Sequence, residues 1–448
     1  MKNIWLVLGI VLLLGAGGYM GYSYFFPENT TSIPDNSGIA ETPALDELPE
    51  LTPQTTATGA AVSTPKPTQE KVIIATENTT PGNDTADNFI RQGKDFLAAG
   101  KFIEAREAFA KANQSDPITV YYLGLMGSYF GERQASENYL KSLGTLPNSD
   151  VKLTQNAQKV LDAYTVFDTY QDGRQEFLAA LVAKQFLVIG EIDLAIGKME
   201  YVLSKVPNYI DVSTLLGSAY LIKGNYEKAI SIFTKSLPND RPEVYYWLGI
   251  AHFYQQNYNK AIGSFQLALN KGYKPQFKPH EKMADSYVAL ANFEQAVVEY
   301  EAAINTTDGS KYIDLYIRPV WVLIDKLRDP NRALAMANQA VLKHPDSAMA
   351  YNLLGWSYVV LGNYEQGKIA LDRALSLDAT LAAVHLNMGN YYRAQNNLVQ
   401  AKSSYEQAIL YDKSGSIARA ARNLLKSIEG EVQIQGAAQS GSVVSGNI

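Results

Sequence analysis

The chain has 448 residues, 46% of them hydrophobic and 19% charged, with a formal net charge of −6. That composition excludes a wholly disordered or collagen-like chain; the length admits two or three ordinary domains or one long repeat array, and the weak negative balance argues against nucleic acid as the main partner. Cysteine is absent, which removes disulfide frameworks, thiolate zinc sites and cysteine nucleophiles and leaves the redox compartment open.

The first predicted element is a membrane segment, residues 1–26. No charge falls between Asn3 and Pro27, and the 23 residues from Ile4 to Phe26 would span roughly 34 Å as a helix, enough to cross a bilayer. Trp5 stands near one end, and Tyr19, Tyr22, Tyr24, Phe25 and Phe26 crowd the other, as an aromatic belt would. Lys2 and the terminal amine precede the segment and acids from Glu28 follow it, so the N-terminus is expected in the cytoplasm and the rest outside. A cleaved signal peptide is the competing reading, with Ile4–Leu14 as its apolar core and Gly15-Ala16-Gly17 near the cut. Both readings place the body outside the cytoplasm; the retained anchor gives a single-pass plasma-membrane protein.

Residues 27–85 are predicted to be a disordered acidic linker. Between 27 and 87 the chain carries eight prolines, thirteen threonines, ten acids and two lysines, and no aromatic residue. So little apolar surface cannot offset the entropy of ordering, and a coil of this length would hold its ends roughly 45 Å apart. Lys71–Ala75 is an apolar island, read as a chance run in preference to a docking strand.

From residue 86 the sequence repeats. Leu215–Phe233 (LLGSAYLIKGNYEKAISIF), Trp247–Phe265 (WLGIAHFYQQNYNKAIGSF), Lys282–Tyr300 (KMADSYVALANFEQAVVEY), Leu353–Leu371 (LLGWSYVVLGNYEQGKIAL) and Asn387–Tyr405 (NMGNYYRAQNNLVQAKSSY) align without gaps. One position is held in turn by Ala183, Gly217, Gly249, Ala284, Trp321, Gly355 and Gly389, at steps of 34, 32, 35, 37, 34 and 34. Twelve residues on come Ala195, Ala229, Ala261, Ala296, Ala333, Gly367 and Ala401; four further stand Met199, Phe233, Phe265, Tyr300, Ala337, Leu371 and Tyr405. An earlier copy uses Gly93, Phe96, Ala105, Phe109 and Ala112.

Apolar residues recur at three and four, so each unit reads as two helices joined by a short polar turn. The glycine, which costs about 1 kcal/mol inside a helix, is expected to let the second helix approach, the alanine to complete that contact and the ring to fill the gap to the next unit. A unit of about 34 residues cannot bury both its faces, so the units must stack.

This pattern resembles the tetratricopeptide repeat (TPR) family. The resemblance covers residues 86–413, about nine repeats, and implies an all-α, right-handed superhelical solenoid of helix-turn-helix units. It weakens at 118–150, where Tyr129-Phe130-Gly131, Ala135 and Tyr139 are out of step, and it lapses at 151–175, which reads as an extra helix or an irregular unit. At Arg318-Pro319-Val320-Trp321 a proline and a tryptophan disturb the pattern, so that copy is expected to be distorted. Residues 414–430 read as a capping helix, with Ile417, Ala421, Leu424, Leu425 and Ile428 on one stripe and Arg419, Arg422 and Lys426 outside it. Residues 431–448 read as a flexible tail.

Motifs for chemistry are missing. Gly362–Lys368 imitates a phosphate-binding loop, but Ile369 stands where Ser or Thr would hold magnesium, and the preceding segment is helical where a strand is required. His252, His280, His344 and His385 are isolated, without a metal-binding pair. The chain therefore reads as non-enzymatic, with no catalytic residue, cofactor or metal site.

What the resemblance implies instead is a concave groove lined by first helices. Transferred unit by unit, it suggests Thr214, Ser218, Leu221, Tyr246, Ile250, Phe253, Tyr254, Glu281, Asp285, Asn352, Trp356, Leu386, Asn390 and Arg393 as partner-binding residues, with Tyr246 and Trp356 expected to open onto the groove. The lysine–asparagine set by which some members of the family clamp a C-terminal carboxylate is not found. The expected function is a membrane-tethered scaffold that binds proteins or peptides, in envelope assembly or secretion; the alternative is an extracytoplasmic protein binding a glycan or another ligand.

Overall fold

A computed structural model describes residues 83–429 except 171–172, 308 and 413–414, together with Leu48 and Leu51. The expected anchor at 1–26, all but five residues of the expected linker at 27–85, and the tail at 431–448 lie outside the described residues. Among the described residues every regular element is helical, and no helix is long and apolar enough to cross a membrane. The chain divides into one compact unit running Thr42–Gln255 and another that contains Gln256–Ile448.

In the first unit α1 (Asn83–Ala98) pairs with α2 (Phe102–Lys111), and α3 (Pro117–Phe130) with α4 (Arg133–Ser142). A lone α5 (Val151–Asp168) follows. Then α6 (Gln175–Val188) pairs with α7 (Ile192–Lys205), α8 (Ile210–Ile222) with α9 (Tyr226–Ser236), and α10 (Pro242–Tyr254) packs on α9. The starts have local causes: at α3 the Asp116 carboxylate accepts from the amides of Ile118 (2.7 Å) and Thr119 (3.2 Å), and Pro117 fits the first turn, where no amide is needed. The hairpin turn between paired helices needs one residue in the left-handed region, and glycine supplies it at 100, 131, 190 and 224.

The second unit contains α11 (Tyr258–Asn270), α12 (Phe277–Ala289), α13 (Phe293–Asn305), α14 (Ile317–Trp321), α15 (Pro330–Lys343), α16 (Ala348–Val360), α17 (Tyr364–Leu377), α18 (Ala382–Ala394) and α19 (Leu398–Tyr411). A last helix, 416–429, buries Ala421, Leu424 and Ile428 against α19 and leaves Arg419, Arg422 and Lys426 in solvent. Here Ala291, Arg328 and Asn396 hold the left-handed turn position, each with φ at 56°.

The repeat spacing acquires a cause that corrects the reading of the ring. The side chain sixteen residues after the small position does not fill a gap to the next unit: it lies on the small residue itself. A Cβ on Gly93, Gly217 or Gly389 would run into the ring of Phe109, Phe233 or Tyr405. At Gly355 it would stand 2.6 Å from Leu371 Cγ. The glycine is thus a socket for the second helix's largest side chain.

This rule also restores the copy at 118–150, which is regular rather than out of step. Its socket is Gly124, where a Cβ would stand 2.5 Å from Leu140 Cδ2. Ser136 replaces the alanine twelve residues on, and its hydroxyl meets Ser128 Oγ at 2.6 Å, itself held by Tyr164 Oη at 2.9 Å. That tyrosine comes from α5, so the lone helix is pinned to the hairpin it follows.

The copy around Trp321 is distorted in a particular way. It runs as a 3₁₀ turn (Ile313–Tyr316), then α14, then a π turn (Val322–Lys326). Pro319 removes an amide from the ladder, and the wider turn accommodates it. Trp321 occupies the socket position and Ala337 stands sixteen residues on, both buried in one core. Large and small have changed helices, and the volume between them is still filled.

Candidate functional site

The fourteen residues expected in the groove divide by burial. Thr214, Ser218, Leu221, Tyr246, Ile250, Asp285, Asn352, Trp356 and Leu386 are buried; Phe253, Tyr254, Glu281, Asn390 and Arg393 are half-buried. Tyr246 is 1% exposed and Trp356 7% exposed, so the expectation that these two rings open outward is corrected: they are core. Register fixes which face of a helix a residue occupies, but the approach of the neighbouring chain decides whether that face is wet.

In the first unit the expected polar positions are satisfied locally. Thr214 Oγ1 donates to Ile210 O at 2.9 Å and Ser218 Oγ to Thr214 O at 3.0 Å, which leaves neither hydroxyl directed at a ligand. Tyr254 stacks on Tyr226, 6.1 Å between centroids. The same unit folds back on itself: α1 touches α7, and a Cβ at Gly197 would stand 2.6 Å from the Phe102 ring and 2.8 Å from Tyr129 Oη. Lys198, 6% exposed, donates to Tyr129 O at 2.5 Å, and burial pushes its amine down to about 8. Tyr122 Oη donates to Glu191 at 3.1 Å; burial pushes that carboxyl up from its ordinary value.

The second unit keeps polar groups on its first helices. On α12, Asp285 is 3% exposed. It accepts from Tyr300 Oη at 2.7 Å and from Arg318 Nη1 at 2.8 Å, with Lys282 Nζ at 3.6 Å. Burial opposes its charge, but the Arg318 guanidinium and Lys282 outweigh it and hold the carboxyl below its usual range. Burial and that same charge push the Tyr300 hydroxyl well up, so at neutral pH Tyr300 is a donor and Asp285 an anion.

Further along, Asn387 Nδ2 donates to Asn352 Oδ1 at 2.9 Å, which joins α18 to α16, and Asn352 Nδ2 lies 3.6 Å from Met349 Sδ. Asn390 Oδ1 accepts from Tyr405 Oη at 3.0 Å. On α18 itself two buried atoms have no hydrogen-bond partner: Asn387 Oδ1, an acceptor, and Asn390 Nδ2, a donor. They are one helical turn apart on α18. An unmet buried polar group costs about 1–3 kcal/mol. Arg393 follows on the same face.

Sequence reasoning placed Asn352, Asp285, Asn390 and Arg393 on these helices and missed Asn387, Lys282, Tyr300 and Arg318. Asn387 stands one place off the transferred register, and Arg318 sits in the distorted copy. The near phosphate loop at Gly362–Lys368 is a hairpin turn between two helices, and its Lys368 Nζ binds Asp372 at 2.7 Å. Among the described residues no group of three or more His, Asp or Glu could hold a metal ion.

Comparison with known proteins agrees with this geometry. Models of the family described as "Tetratricopeptide repeat" match residues 210–238, 242–271, 325–382 and 382–414. The tetratricopeptide repeat domain-containing protein PYG7, chloroplastic, of Arabidopsis thaliana is 31% identical over 81 residues, 18% of this chain and 27% of that one. The uncharacterized protein ycf37 of Guillardia theta is 32% identical over 78 residues, 17% of this chain and 44% of that one. The chain thus spans between about a quarter and under half the length of these curated relatives. Among solved structures, yeast Tom70 aligns over 82% of this chain and 93% of its own, at 12% identity and a TM-score of 0.38. The chain is a tetratricopeptide repeat protein.

Proposed function

We propose that this repeat protein is a non-catalytic scaffold that holds an extended or helical peptide of a protein partner along the first helices of the second unit. Asn390 and Arg393, half-buried one helical turn apart on the first helix α18, carry the reading: they are polar side chains that a bound peptide can still reach. Arg393 and Glu281, half-buried on first helices, would add selectivity for side chains. The uncharged run Ile4–Phe26 supports a single membrane anchor with the repeats outside the cytoplasm, tethered by the linker. A scaffold so held would serve envelope assembly or secretion.

The test is site-specific photo-crosslinking in cells with the full chain. A crosslinker at Arg393 should join a protein partner, and one at Ile369, 64% exposed on the outer side of α17, should not. Equal yields at both positions would sink the reading. Membrane fractionation and protease access from outside the cell test the tether: the repeats should sediment with membranes and be cut.

A further inference from the structure

We infer that the partner segment held along the first helices of the second unit is acidic, recognised through its Asp and Glu side chains; this rests on the scaffold reading above. The first helices of this unit are α12, α14 with the π turn that continues it, α16 and α18. They carry five cations, Lys278, Lys282, Arg318, Lys326 and Arg393, against three carboxylates, Glu281, Asp285 and Asp325, although the whole chain has a net charge of −6.

The two signs are sorted by depth. All five cations are half-buried, so each reaches solvent, whereas Asp285 and Asp325 are buried. Within each ion pair the carboxylate lies inside and the cation outside. Side-chain exposure is 4% for Asp285 against 27% for Arg318 and 18% for Lys282, and 7% for Asp325 against 26% for Lys326, 3.1 Å away. Long basic side chains permit this, because the apolar stem packs while the charged head stays wet. Glu281 is the exception, half-buried on α12, and its charge acts on the neighbouring Arg318. Arg393 lies beside Tyr405 rather than a carboxylate. Arg318 stands at the register position of Glu281, and Arg393 at that of Asp325, so positive charge recurs from α12 through α14 to α18. A segment laid along these helices meets cations first, and an acidic one gains from that field. Nucleic acid is the poorer match: α16 carries no charge at all, whereas a phosphate backbone is charged at every step.

The experiment uses the full chain in cells with a photo-crosslinker at Asn390, which leaves Arg393 in place, and mass spectrometry of what is joined. The joined segment should carry more Asp and Glu than Lys and Arg. A synthetic peptide of that segment should bind the purified full chain about fivefold or more weakly at about 300 mM salt than at about 50 mM. Arg393→Gln should weaken it about as much, at unchanged Tm. Arg332→Gln removes a cation from the second helix α15, where it binds Glu294, and should bind the peptide as the unaltered chain does. A joined segment that is neutral or basic, or an affinity indifferent either to salt or to Arg393→Gln, overturns the inference and leaves the scaffold reading standing. Nucleic acid joined at Asn390 in place of protein, or nothing joined, overturns both.

Discussion

Both units contain one departure from the regular repeat, and they absorb it differently. The first inserts a whole helix, α5, between hairpins, and its chain returns so that α1 touches α7 and the lysine and carboxylate of Lys198 and Glu191 are taken out of water. The second keeps its repeat count and loosens one turn, with Trp321 and Ala337 exchanging roles across the hairpin. An added element redirects everything after it, whereas a wider turn is compensated within the hairpin. Both units leave buried polar atoms unmet, among them Thr119 Oγ1 and Ser149 Oγ in the first and Asn387 Oδ1 and Asn390 Nδ2 in the second.

The comparison is broken or sharpened by substitution, largest effect first. Asp285→Ala strands Arg318 and Tyr300 in the second unit and should cost about 3–5 kcal/mol in chemical denaturation; a cost under about 1 kcal/mol would show the cluster to be incidental. The pH sign follows from the lowered carboxyl: its stabilisation is complete above the unfolded value near about 4 and is lost as pH falls through the lower folded value.

Lys198 predicts a trend of the same sign for the first unit, at higher pH and through a cost that is relieved rather than a contact that is gained. Its folded value of about 8 lies below the unfolded value near about 10.4, so charging the buried amine costs about 3 kcal/mol below pH 8, and the cost fades as pH rises toward the unfolded value. Lys198→Met should raise stability at pH 7 and abolish the gain between about pH 8 and 10; if the gain persists in the variant, another group is its source.

Gly217→Ala and Gly124→Ala each push a Cβ into the side chain seated sixteen residues later and should cost about 2 kcal/mol. The second tests whether 118–150 is a true repeat, and its Tm should fall as far as that of the first. The smallest effect is expected at Ala291, whose φ of 56° disfavours any side chain; Ala291→Gly should stabilise by about 1 kcal/mol, whereas the corresponding turns of the first unit already carry glycine.

Much of this was legible in the sequence because the socket contact lies within one hairpin. A fixed spacing of sixteen is a local rule, and local rules survive in a string of letters. The copy at 118–150 was misread since Ser136 and Leu140 substitute for the usual alanine and ring, and Ala135 and Tyr139, one place away, drew the eye to the wrong register. The burial of Tyr246 and Trp356 was illegible for a different reason: it depends on how near another segment comes, which period alone does not encode. Asn387 was missed by one position of register.

The most direct test of the scaffold reading is the affinity of the crosslinked partner for the unaltered chain and for Asn390→Asp. That change keeps the acceptor for Tyr405 Oη and replaces only the unmet donor. Binding should weaken about tenfold or more while the Tm stays within a few degrees; undiminished binding would contradict the account.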